Sequence, residues 1–144
     1  PQMEEVISAQ STYKMLTMLR AVINEGTGGR VRRNYGITAD MGGKTGTTNY
    51  NADGWFMGFT PSLVSGCWVG GEEPDIHFDS MADGQGASMA LPIWGLYMKK
   101  VFADKSLGYD QSETFQIPED FTPCDDKQED SFSTNHQELD DLFN

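Results

Sequence analysis

The chain has 144 residues, 38% of them apolar, and a formal net charge of −12, the scale of one domain or part of one. Residues 105–144 hold 2 basic against 11 acidic side chains, so the acidity is concentrated toward the C-terminal end. Basic residues cluster only at Arg30, Arg32 and Arg33, which argues against a nucleic-acid partner, and no run of about 18 apolar residues exists to span a bilayer.

In chain order, residues 9–25 predict an amphipathic helix, with Met15, Leu16, Leu19, Val22 and Ile23 on one side, Ser8 as N-cap and Gly26 just past the end. Gly26 to Gly29 and Arg30 to Arg33 read as a loop, with the three arginines as surface charges. An extended stretch follows from about Thr38 to Thr48, then a turn over Asn49 to Gly54. Trp55–Thr60 and Leu63–Gly70 read as strands joined by Pro61-Ser62, completing three consecutive antiparallel strands. A second helix is predicted over about 86–103, kinked or begun near Pro92. The fold class is therefore α+β, an antiparallel sheet flanked by helices.

In the middle strand Trp55, Met57 and Phe59 alternate with Phe56, so both faces of the sheet carry apolar side chains. The two helices suffice to cover one face. The other has no partner in this sequence, and the chain, which starts at Pro1, is expected to be part of a larger fold whose remaining elements lie upstream. Residues 1–104 form the main body of this reading and 105–123 a C-terminal extension anchored by Phe115, Ile117, Pro118 and Phe121. Residues 124–144 form an acidic tail expected to be disordered.

Gly42-Gly43-Lys44-Thr45-Gly46-Thr47-Thr48 carries the chemistry. A phosphate-binding loop would need a glycine where Thr38 stands and a helix to follow, and neither condition is met. The other reading is Lys-Thr-Gly on a strand that lines a groove. Lys44 would supply a fixed cation, Thr45 and Thr47 hydroxyls for a carboxylate, and Gly46 room for a substrate backbone to approach. A peptide could then pair with the strand edge. Strict alternation sends Lys44 and Thr45 to opposite faces, so both reach one groove only at a twisted edge approached side-on.

The surroundings of the triplet extend the pattern. Lys44 to Asn49, Trp55-Phe56-Met57-Gly58-Phe59-Thr60-Pro61, Gly66-Cys67-Trp68-Val69-Gly70 and Ala90-Leu91-Pro92-Ile93-Trp94 together resemble the C-terminal part of the transpeptidase domain of class A penicillin-binding proteins. Ile7-Ser8 with its helix, and Gly26-Thr27-Gly28, fit the segment preceding Lys-Thr-Gly in that family. The resemblance implies a partial fold of the penicillin-binding protein and serine β-lactamase type. It implies a membrane-anchored, extracytoplasmic parent with an upstream glycosyltransferase domain, no cofactor, and peptidoglycan stem peptides and β-lactams as ligands. It assigns Lys44 to the Ser-x-Asn serine and the substrate carboxylate, Thr45 and Thr47 to that carboxylate, and the Thr47 backbone N–H to the oxyanion hole. A class B penicillin-binding protein, a serine β-lactamase and a non-catalytic module that binds cell-wall peptides are the alternatives.

The family's Ser-x-x-Lys and Ser-x-Asn motifs belong upstream of Lys-Thr-Gly. Ser11-Thr12-Tyr13-Lys14 and Ser133-Thr134-Asn135 spell them, but the first lies too close in sequence and the second on the wrong side, so both are read as decoys. Glu72, Glu73, Asp75, Asp79 and Asp83 lack the spacing of a cation loop and read as a solvated acidic segment. Two cysteines and two histidines do not make a zinc site. Cys67 is expected buried in a strand, Cys124 exposed in the tail, and Trp55, Phe56, Phe59 and Trp68 in the core.

Overall fold

The computed structural model of the chain describes residues 6–73 and 75–123. Helix α1 (Ala9–Asn24) is followed by a short helix α2 (Arg30–Tyr35) and by strands β1 (Gly42–Thr47), β2 (Asp53–Phe59) and β3 (Val64–Gly70). A single turn of helix, α3 (Met81–Gly84), leads into the long α4 (Gly86–Ala103). The strands form an antiparallel meander in the order β1-β2-β3, with Thr45 opposite Phe56 and Phe56 opposite Cys67.

Ser8 caps α1 as expected, its hydroxyl accepting the Ser11 N–H at 3.2 Å. The helix buries less of its apolar side than the pattern predicts. Tyr13 and Ile23 are enclosed, whereas Met15 and Met18 remain more than half exposed. Part of the cover comes from the extension, where Phe121 meets Tyr13 edge to face with ring centroids 4.6 Å apart and Phe115 meets Phe59 at 5.9 Å. The Phe115 N–H also donates to Asp40 Oδ2 at 3.1 Å, while Ile117 stays exposed.

Residues 30–33 are not a loop. Val31 is fully buried, Gly36 closes the helix in the left-handed conformation, and two of the three arginines serve as internal donors. Arg32 Nη1 donates to the carbonyls of Ile37 and Ala39 at 3.0 and 2.9 Å, and its Nε and Nη2 to Asn24 Oδ1. Burial lowers the Arg32 pKa from its ordinary value, a shift that neighbouring Asp40 opposes. Arg30 Nη1 donates to the Ala87 carbonyl and to Ser88 Oγ, tying α2 to the start of α4. Those same bonds shorten the extended stretch predicted from Thr38. The Ile37 and Ala39 carbonyls serve Arg32 and the Thr38 N–H serves Gln111 Oε1, so ladder pairing begins only at Gly42.

Alternation along the sheet produces two unlike faces. Phe56, Gly58, Cys67 and the Thr45 side chain lie on the face covered by α4, whereas Lys44, Trp55, Met57 and Trp68 lie on the other. On the covered face Trp94 packs against Phe56 with centroids 5.0 Å apart, and its indole N–H donates to Ser65 Oγ at 2.9 Å. Gly58 permits this approach, because a Cβ there would lie 2.3 Å from Trp94 Cζ2. Pro92 sits inside α4 without beginning it.

The other face is open among the described residues, with Trp55 47% and Trp68 46% exposed. Phe56 is core as expected, and Phe59 is half-buried. Trp55 and Trp68 correct the core assignment, because they stand opposite each other on the face that no described helix covers. Cys67 is half-buried on the covered face, and burial pushes its thiol pKa up. The predicted tail, with Cys124 and Ser133 to Asn135, lies outside the described residues.

Gly58→Ala is expected to cost about 1–3 kcal/mol through overpacking against Trp94, measured as a lower urea midpoint at constant slope. An unchanged midpoint would contradict the close Gly58–Trp94 contact.

Candidate functional site

Lys44, Thr45, Gly46 and Thr47 all fall in β1, which pairs with β2 on one side and with no described strand on the other. The direction of its backbone groups follows from its end. The Thr48 N–H donates to the Asp53 carbonyl at 3.0 Å, so residues of the same parity, Lys44 and Gly46, turn their N–H and C=O toward β2. Thr45 and Thr47 therefore turn theirs to the outer edge. Two successive outward donor–acceptor pairs make this edge a template for an extended ligand.

The side chains reach the same edge by different routes. Lys44 leaves the strand on the open face, as alternation demands, and its Nζ donates to the Thr45 carbonyl at 2.7 Å. Because that carbonyl points outward, the lysine bends around the strand and brings its cation to the edge. Thr45 and Thr47 leave on the helix-covered face. Thr45 Oγ1 is 2.9 Å from Thr27 Oγ1, and Thr47 Oγ1 accepts the Gly86 N–H at 3.1 Å. A hydroxyl that accepts from within the protein keeps its own proton for an incoming acceptor. The edge thus gathers one cation, two hydroxyls and two outward N–H groups within three consecutive alternations of one strand.

Gly86 is the second position where a missing Cβ matters. A Cβ there would stand 2.4 Å from the carbonyls of Gly46 and Trp55, so only glycine lets α4 begin against the hairpin and offer its first N–H to Thr47. Thr27 and Gly86 carry no assigned role in the sequence reading. Gly26-Thr27-Gly28 is a visible motif, but the partner of Thr27 is 18 positions away.

The remaining candidates separate from this edge. Gly43-Lys44-Thr45 opens no helix, which removes the phosphate-loop geometry. Ser11 lies in the first turn of α1, where its hydroxyl accepts from Ser8 Oγ at 3.1 Å. Among the described residues no three His, Cys, Asp or Glu side chains converge as a metal site, and no helix is long and apolar enough to cross a membrane. Two concavities among the described residues also lie elsewhere. One of about 480 Å³ is lined by α1 with Phe59 and Phe115, another of about 400 Å³ by Val69 to Gly71 and Ile76 to Phe78, and neither lining includes Lys44, Thr45 or Thr47.

No family model matches the chain. Among curated proteins it is 40% identical over 106 residues to penicillin-binding protein 1A of Pseudomonas aeruginosa, covering 72% of this chain and 12% of that protein. It is 43% identical over 101 residues to penicillin-binding protein 1A of Aquifex aeolicus, covering 70% and 13%, and 34% identical over 116 residues to that of Neisseria gonorrhoeae, covering 80% and 13%. The chain therefore spans roughly an eighth of the length of these relatives. Its fold is similar to the crystal structure of penicillin-binding protein 1A from Haemophilus influenzae, with a TM-score of 0.64 and 30% identity over 79% of this chain and 17% of that one. Matching relatives and a matching fold give one conclusion: the chain belongs to the class A penicillin-binding proteins, as a part of the transpeptidase domain.

Proposed function

We propose that the chain is the C-terminal part, residues 1–104 with the extension 105–123, of a D,D-transpeptidase domain that cross-links peptidoglycan stem peptides by serine acyl transfer. In this reading it supplies one wall of the active groove and not the nucleophile. The observation that carries the reading is the outer edge of β1. There the Lys44 ammonium, the Thr45 hydroxyl and the outward Thr47 N–H lie along one strand.

Each group has work that suits its chemistry. A stem peptide ending in D-Ala-D-Ala lies along β1, its backbone pairing with the outward Thr45 and Thr47 groups. Its terminal carboxylate takes a hydrogen bond from Thr45 and the field of Lys44, with the Thr47 hydroxyl alongside. A serine from the upstream part of the polypeptide attacks the penultimate carbonyl, and the developing oxyanion accepts the Thr47 N–H. Collapse releases the terminal D-Ala and leaves an acyl-enzyme, which an amine of a second stem peptide then resolves. A β-lactam presents the same carboxylate and carbonyl and acylates the same serine. Peptidoglycan places the reaction outside the cytoplasmic membrane, on a parent anchored by an N-terminal helix and carrying a glycosyltransferase domain upstream.

In the full-length polypeptide, Lys44→Ala and Thr45→Val are each expected to slow acylation by penicillin about 100-fold, the scale of removing one transition-state contact. Stopped-flow acylation reads this directly, and rates equal to wild type would remove both residues from the site. The 144-residue chain by itself is expected to form no penicillin adduct. Intact-mass spectrometry checks this, and a gain of one antibiotic mapped to Ser11 would overturn the assignment of the nucleophile to an upstream segment.

A further inference from the structure

We infer that Thr27 is a positioning residue for Thr45, orienting the hydroxyl that meets the ligand carboxylate. The inference rests on the proposed role of Thr45 and extends it to a residue outside the strand.

The α1–α2 connection is built to hold one side chain in place. The Gly26 N–H donates to the Ala21 carbonyl, Gly28 to Val22, and Gly29 back to Gly26, so the glycine N–H groups on either side of Thr27 tie the connection to the last turns of α1 and to itself. Gly28 and Gly29 are buried, and a Cβ on Gly28 would lie 2.7 Å from Ile23 Cδ1, which presses the connection onto the core. Thr27 alone in this run projects an exposed hydroxyl, and it lies 2.9 Å from Thr45 Oγ1. Threonine has few χ1 choices, and a partner fixed by a separate element selects one of them for Thr45. When Thr27 donates to Thr45, the Thr45 proton is directed outward to the carboxylate, and the two hydroxyls form a short relay of dipoles ending on the anion. Thr47 has an equivalent internal partner in the Gly86 N–H. Both motif hydroxyls are thus set by elements that flank the strand.

The test uses the full-length polypeptide and compares acylation by a penicillin with acylation by its methyl ester, which lacks the anion. Thr27→Val, which keeps shape and loses the hydroxyl, is expected to slow the free acid about three- to tenfold, the scale of one neutral hydrogen bond, and to leave the ester rate unchanged. Thr27→Ser is expected to restore the free-acid rate. Equal slowing of acid and ester, no rescue by serine, or wild-type rates for Thr27→Val would each overturn the inference. Thr45→Val run alongside separates the levels: if it slows the acid while Thr27→Val does not, only the positioning role falls. If Thr45→Val is also without effect, the carboxylate-binding reading falls with it.

Discussion

Trp94 lying against Gly58 and Phe56 is the contact from which the geometry of the molecule follows. It brings α4 down onto the middle strand, and the indole N–H held by Ser65 fixes the helix to β3 as well. With one face of the meander sealed in this way, the phase of every strand is set, since a slip of one residue would send Phe56 to the open side. The start of α4 then falls at Gly86, against the Gly46 and Trp55 carbonyls, and its first N–H reaches Thr47. Core packing and the dressing of the candidate edge are consequences of the same helix placement.

The edge derives its chemistry from period two. Side chains alternate between faces while backbone groups alternate between inward and outward, so Thr45 and Thr47 present outward N–H and C=O groups from residues whose side chains point to the helices. Lys44, of the other parity, satisfies the ladder with its backbone and leaves its long side chain free to return to the edge from the open face. In its proposed role such a strand needs small residues near the ligand and support from neighbouring elements. Gly46 meets the first need, and the Thr27 and Gly86 contacts meet the second.

Much of this was legible in the residues. Capping by Ser8, the order of three antiparallel strands, the long helix ending near 103 and one sheet face without cover all followed from local chemistry and alternation, although Trp55 and Trp68, read as core, turned out to lie on that open face. What escaped was set by distant partners. The segment 30–33 offers too few residues for a helical period, and it becomes helical because Val31 is buried, Arg30 reaches a backbone carbonyl of α4, and Arg32 reaches the carbonyls of Ile37 and Ala39 in the segment that follows. Thr38 to Met41 have the composition of a strand, but their backbone groups serve Arg32 and Gln111. At the candidate edge the motif and the opposed directions of Lys44 and Thr45 were readable from spacing. The lysine's return to the Thr45 carbonyl and the Thr27 contact required the fold.

Hydrogen exchange of the β1 amides in the full-length polypeptide, before and after acylation by penicillin, tests the central claim most directly. If the outer edge of β1 receives the ligand, the Thr47 N–H, and with it Thr45, exchanges rapidly in the free protein and slows on acylation, while the inward amides of Lys44 and Gly46 are protected in both states. Equal protection of Thr47 before and after acylation would show that the ligand does not occupy this edge.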